Sequence, residues 1–204
     1  MGFRDRFQNL KETVGQWADS AGGSSLDRKI ERNLAEMESG TEIERTAAVK
    51  ALVIQAQIDD KWADPIITSF LRVLPDQFAS PQEAIIDGLL ELRKVKVSRK
   101  EEIFETIQET LDSPHPSVRS KVIDIWTRFS LKSDTKTSDT IAVLFEMLSD
   151  DDKDIRYQTQ ESLSKILQTV PKVALPELKN ALTNDDWRVK YHSIVLLTEF
   201  ARKY

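Results

Sequence analysis

The chain has 204 residues, no cysteine, and 29 Lys and Arg against 34 Asp and Glu, a formal charge of −5. Disulfides, thiolate metal sites and cysteine nucleophiles are thereby excluded, and an acidic balance argues against a general polyanion binder, whose faces are basic. With 40% hydrophobic residues, 31% charged residues, 6 Gly and 7 Pro, the composition is that of a folded chain of helices joined by short turns.

The first 25 residues stand apart. Phe3, Phe7, Leu10, Val14 and Trp17 recur at steps of 4, 3, 4 and 3, which places them on one face of an amphipathic helix with a heptad-like seam. The stretch Ala21-Gly22-Gly23-Ser24-Ser25 then reads as a flexible joint. Three roles suit such a helix. It can fold back to cap the repeats that follow, dock on another protein, or lie on a membrane, with Arg4, Arg6 and Lys11 offset by Asp5, Glu12 and Asp19. No secretory signal is legible, and position 6 is Arg6 where a myristoylation motif requires Ser or Thr. A cytoplasmic location is expected.

From residue 26 onward the pattern repeats. Five helix pairs are predicted, over about 26–57, 61–97, 98–131, 135–169 and 171–203. The first helices carry apolar stripes: Ile66, Ile67, Phe70, Leu71 and Leu74; Ile103, Phe104, Ile107 and Leu111; Ile141, Leu144, Phe145 and Leu148; Val173, Leu175, Leu178 and Leu182. The second helices begin at a shared turn, clearest in Leu111 to Arg119, Leu148 to Arg156 and Leu182 to Lys190, with steps of 37 and 34 residues. Each turn has a leucine, an acidic or proline-bearing bend, a β-branched residue and a cation. One step upstream, Pro81, Ile85, Leu89 and Leu92 align with Val118, Val122, Trp126 and Phe129. A further step of 38 gives Ile43, Ala47, Ala51 and Ile54 as the expected core stripe of the first copy. The polar stretch from Lys132 to Thr140 is read as a surface loop.

These turns, each followed by helically spaced aliphatics, resemble HEAT repeats. The likeness is strongest at Asp185-Asp186-Trp187-Arg188-Val189-Lys190 and covers roughly residues 41–203. It implies an all-α, right-handed α-solenoid of about five HEAT-like helix pairs over residues 26–204, preceded by the helix and joint of 1–25. It also implies that Arg119, Arg156 and Lys190 pair with acidic residues of neighbouring turns, with Asp112, Asp150, Asp152 and Asp186 as candidates.

Position within the second helices then singles out a partner surface. Six residues beyond the buried marker stand Asp87, Asp124 and Glu161, and two beyond it stand Tyr157 and Tyr191. The resemblance puts these helices on the concave side, where carboxylates would steer a basic or amphipathic segment of a partner protein and tyrosines would supply contact area. The basic stretch Arg93-Lys94-Val95-Lys96-Val97-Ser98-Arg99-Lys100 could instead touch nucleic acid or anionic lipid, but Glu101 and Glu102 follow it and favour a solvated turn. His115 and His192 belong to no metal or nucleophile motif, and no glycine-rich phosphate loop is present. The expectation is a non-catalytic scaffold or adaptor with no cofactor, no metal and no nucleic-acid partner. Two alternatives stand beside it. One is an adaptor anchored to a membrane through residues 3–17. The other, more remote, is a HEAT-like bilin lyase or DNA glycosylase.

Overall fold

The structure, a computed structural model, describes residues 25–76, 78–131 and 137–203. Among these residues every regular element is helical, and the helices fall into five consecutive pairs. The pairs are α1 (Ser25–Ser39) with α2 (Glu42–Ile58), α3 (Ala63–Val73) with α4 (Ala79–Val95), and α5 (Lys100–Glu109) with α6 (Pro116–Leu131). They continue with α7 (Thr137–Glu146) and α8 (Lys153–Thr169), then α9 (Pro171–Ala181) and α10 (Trp187–Lys203). The predicted boundaries hold to within a few residues, except that α7 begins at Thr137, inside the stretch read as loop. The predicted N-terminal helix, with Phe3, Phe7, Leu10, Val14 and Trp17, lies outside the described residues, as do residues 132–136. No described helix is long and apolar enough to cross a membrane. The chain forms two compact units that divide between Thr106 and Ile107.

In the first unit, α2 is fixed at its start by a reciprocal cap. The Thr41 hydroxyl accepts from the Glu44 amide at 3.4 Å while the Glu44 carboxylate accepts from the Thr41 amide at 2.8 Å. Those bonds to Thr41 hold the Glu44 carboxyl below its ordinary pKa. The helix buries Ala48, Val49, Leu52 and Ala56 against Ile30, Leu34 and Met37 of the paired helix and Ile85, Ile86 and Leu89 of the next second helix. This corrects the expected stripe. Ile43 is 82% and Ile54 58% exposed, and Ala47 is exposed as well. The physical reason is a helix phase error of about 100° per residue: a step of 37 rather than 38 from Ile85, Leu89 and Leu92 lands on Ala48, Leu52 and Gln55, all buried. A similar slip affects α9, which buries Ala174, Leu178 and Ala181 and leaves Leu175 exposed.

Contacts between α2 and α4 rest on a small residue. A Cβ at Gly88 would lie 2.8 Å from Cε2 of Phe70 and 2.8 Å from Cγ2 of Val53, so only glycine lets the three helices meet there. Ser80 donates to Glu42 at 2.6 Å near the starts of the two second helices, which run parallel.

In the second unit, the core is built from Val118, Val122 and Trp126 of α6, Ile141, Leu144 and Phe145 of α7, Leu163, Ile166 and Leu167 of α8, and Val189 and Leu196 of α10. Its turns are tied by arginines. Arg119 forms a two-pronged pair with Asp150 of the next turn, at 2.8 and 2.9 Å, and donates to the Ser113 carbonyl at 2.7 Å. Arg156 instead donates to the backbone carbonyls of Asp150 and Asp151, at 2.5 and 3.0 Å. In the last turn the residue that reaches back is Arg188, to Asp151 at 3.0 Å, while Asp186 caps α10 through the Arg188 amide at 2.7 Å. Asp152 caps α8 in the same way, accepting from the Asp154 amide at 2.8 Å.

Candidate functional site

The repeat places one row of side chains of each second helix on its outward face. In the second unit that row runs over α6, α8 and α10, which lie side by side. Polar contacts set their spacing. Gln158 donates to the Ser120 carbonyl at 3.1 Å and to the Asp124 carboxylate at 2.9 Å. His192 meets Gln160 at 2.6 Å, and Lys203 donates to Gln168 at 2.5 Å. Burial, and secondarily the Arg156 charge, hold the His192 imidazole below its ordinary pKa. The ring sits between the helices and is biased toward its neutral form.

The predicted partner residues divide between the two units. Asp87 is exposed on α4 of the first. Asp124, Tyr157, Glu161 and Tyr191 are exposed on α6, α8 and α10 of the second. Tyr157 is 63% and Tyr191 57% exposed, at equivalent positions of adjacent repeats, and Tyr191 stands edge-on to His192 with ring centres 5.3 Å apart. Asp124 is partly occupied by Gln158, so it helps position α8 as well as presenting charge. One turn beyond the carboxylates stand Arg128 after Asp124 and Lys165 after Glu161, both exposed. The face of the second unit thus alternates anionic and cationic rows.

Two residues on this face were not singled out by spacing. Trp187 is exposed one turn before Tyr191, and Ile194 is exposed one turn after it. The signal for both was present: they continue the Tyr191 row at helical steps of 4 and 3. Trp187 was absorbed into the turn motif instead. The basic stretch from Arg93 to Lys100 is largely occupied within the first unit. Lys94 pairs with Glu91 at 2.7 Å, Lys96 with Asp64 at 3.3 Å and Arg99 with Glu102 at 2.9 Å. Arg99 also donates to Thr68 at 2.9 Å, and its bonds to Glu102 hold that carboxyl below its ordinary pKa. Among the described residues no group of three His, Asp or Glu is placed to hold a metal ion.

Residues 105–198 match the family model described as HEAT repeats. The fold also recurs in solved structures of low sequence identity. One, described as "Crescerin uses a TOG domain array to regulate microtubules in the primary cilium", is 17% identical, with a TM-score of 0.56 over 97% of this chain and 83% of that one. A C-terminal fragment of the Chaetomium thermophilum cohesin loader SCC2 is 15% identical, with a TM-score of 0.59 over 85% of this chain.

The chain folds as a helical-repeat protein, and its residues 105–198 match HEAT repeats.

It spans only 15% of the SCC2 fragment. A further solved structure, described as "Structural Basis of Microtubule Plus End Tracking by XMAP215, CLIP-170 and EB1", is 15% identical with a TM-score of 0.52 over 99% of this chain and 86% of that one. No curated protein matches the sequence. At these identities the likeness is one of fold. HEAT proteins are typically scaffolds or adaptors, and their specificity resides in the side chains that each repeat presents rather than in the fold.

Proposed function

We propose that the chain is a non-catalytic scaffold or adaptor that works in the cytoplasm and binds a partner protein through the outward face of its second helices. The observation that carries this reading is the aromatic row of the second unit. Tyr157, Tyr191 and Trp187 are large side chains held largely in solvent at helical spacing, where they contribute little to the core. Tyr and Trp are the residues that most often anchor protein interfaces, because they cover much area with few rotatable bonds. Asp124 and Glu161 beside them would draw in cations, while Arg128 and Lys165 would meet anions. An amphipathic segment carrying both signs fits this alternation better than a purely basic one. The absence of cysteine from the sequence agrees with a reducing compartment. Two neighbours in fold are described by their work on protein assemblies, one regulating microtubules and one loading cohesin, which supports the class of partner and not its identity.

The test compares capture of partner proteins by the intact chain and by the Tyr157→Ser/Tyr191→Ser variant, with helicity checked by circular dichroism. The proposal expects a partner whose recovery falls at least about tenfold, as befits the loss of interface anchors. Equal recovery by a folded variant would contradict it.

A further inference from the structure

The outward face of α2 is apolar where the same positions of α6 and α8 are polar. Ile43, Ala47, Ile54 and Ile58 form an exposed apolar stripe interrupted only by Lys50. From Ile43 to Ile58 it runs about 22 Å along the helix. Ile58 is 71% exposed, so the stripe is open along its whole length.

The way α4 receives α2 shows what such a face is built for. α4 presents Ala84 and Gly88 to α2, and the missing side chain at Gly88 admits Val53 at van der Waals range. Thirty-seven residues earlier, the same two positions of α2 are Ala47 and Ala51, small again, with Ala47 exposed and Ala51 half-buried. α2 therefore carries a helix-receiving face like that of α4.

We propose that residues 3–17 of this same chain occupy it, as an amphipathic helix parallel to α2. Three observations select that occupant. The seam Phe3, Phe7, Leu10, Val14 repeats at steps of 4, 3 and 4, and the stripe Ile43, Ala47, Lys50, Ile54 repeats at the same steps. The two would match along about 17 Å. Next, the chain reaches. α1 starts beside the end of α2, where Lys61 lies 3.8 Å from Asp27. The seven residues from Ala18 to Ser24 can span up to about 24 Å, enough to set Trp17 beside Ile58. Finally, charge agrees with the parallel direction. Arg4 and Arg6 flank the seam at its start, and Glu42 and Glu44 flank the stripe at its start, both exposed. In this arrangement the segment plays the part of a preceding second helix and closes the apolar end of the first repeat.

The chain's lack of cysteine makes the test direct. In the full chain, the pairs Phe7→Cys/Ala47→Cys and Val14→Cys/Ile54→Cys are compared with Glu12→Cys/Ile54→Cys, whose first residue lies on the far side of the same helix. Docking predicts that the first two pairs close a disulfide within one chain at least about tenfold faster than the third, as effective concentration requires. It also predicts that Ile54→Ser/Ile58→Ser, harmless on a solvated face, lowers the Tm by about 3–6 °C. Equal closure rates for all three pairs would overturn the proposal. So would disulfides formed only between chains, which assign the stripe to a second copy. Co-sedimentation with phosphatidylcholine–phosphatidylserine vesicles without intrachain closure would assign the segment to a membrane and overturn it too.

Discussion

The faces of α2 and α8 occupy the same positions of the repeat and have opposite characters. Where α2 shows Ile43, Ala47, Lys50 and Ile54, α8 shows Asp154, Gln158, Glu161 and Lys165, each 111 residues later. The difference follows from what lies on that side. α8 has α6 beside it, and Gln158 spends its amide on Ser120 and Asp124 of that neighbour. α2 has no such second helix before it among the described residues, yet keeps apolar and small side chains there. The repeat period therefore fixes where a residue sits, and the neighbour fixes what that position needs.

The largest effect should come from the phase of α2. Leu52→Ala should cost about 3 kcal/mol in chemical denaturation, because a fully buried leucine leaves a cavity. Lys50→Ala, two residues away on the exposed side, should stay within about 0.5 kcal/mol. A reversed order would contradict the phase that buries Leu52 and exposes Lys50. Next in size is the tie between turns in the second unit. Arg119→Ala should cost about 2 kcal/mol by leaving the buried Asp150 carboxylate without its cation. Arg119→Lys should recover only part, since an ammonium cannot form the two-pronged pair. Smaller still is Gly88→Ala. The gain in helix propensity of about 1 kcal/mol is opposed by overlap with Phe70 and Val53, leaving a net loss of about 1 kcal/mol. An increase in stability would mean that the two side chains move aside easily.

The smallest effect sharpens the α8–α10 contact. His192 resists protonation in the folded chain, while the unfolded chain takes up a proton near pH 6.5. Stability is then fully present above about pH 6.5 and falls as pH drops from there toward the lowered folded value. His192→Gln should flatten that segment of the stability curve. Glu44, Glu102 and Asp186, whose folded pKa values are depressed, lose their contributions only below about pH 4.5. Glu38, raised by burial against the pull of Arg72 and Arg45, acts in the opposite direction. The difference between His192→Gln and the parent isolates the histidine.

Most of the architecture was legible in the sequence because helix pairs repeat their apolar spacing with little variation. The core stripes of α3, α5 and α7 could be read directly from isoleucine, leucine and phenylalanine at three- and four-residue steps. The first repeat was misread for a physical reason. Its buried face is made of Ala48, Val49 and Ala56 with Leu52, so the larger isoleucines of its outer face gave the stronger periodic signal. The candidate face was legible in part. Tyr157, Tyr191, Asp124 and Glu161 are exposed as their register implied, but the cations one turn away were overlooked because each row was read singly. Trp187 and Ile194 gain their meaning only once α10 is seen to leave them uncovered.

Site-specific photo-crosslinking can show whether the outward face of the second unit meets the partner. A benzophenone side chain placed at position 157 or 191 is compared with one at Lys179, exposed on α9. Positions 157 and 191 should both capture the same protein, and position 179 should not. Capture from position 179 alone, or of unrelated proteins from 157 and 191, would contradict it.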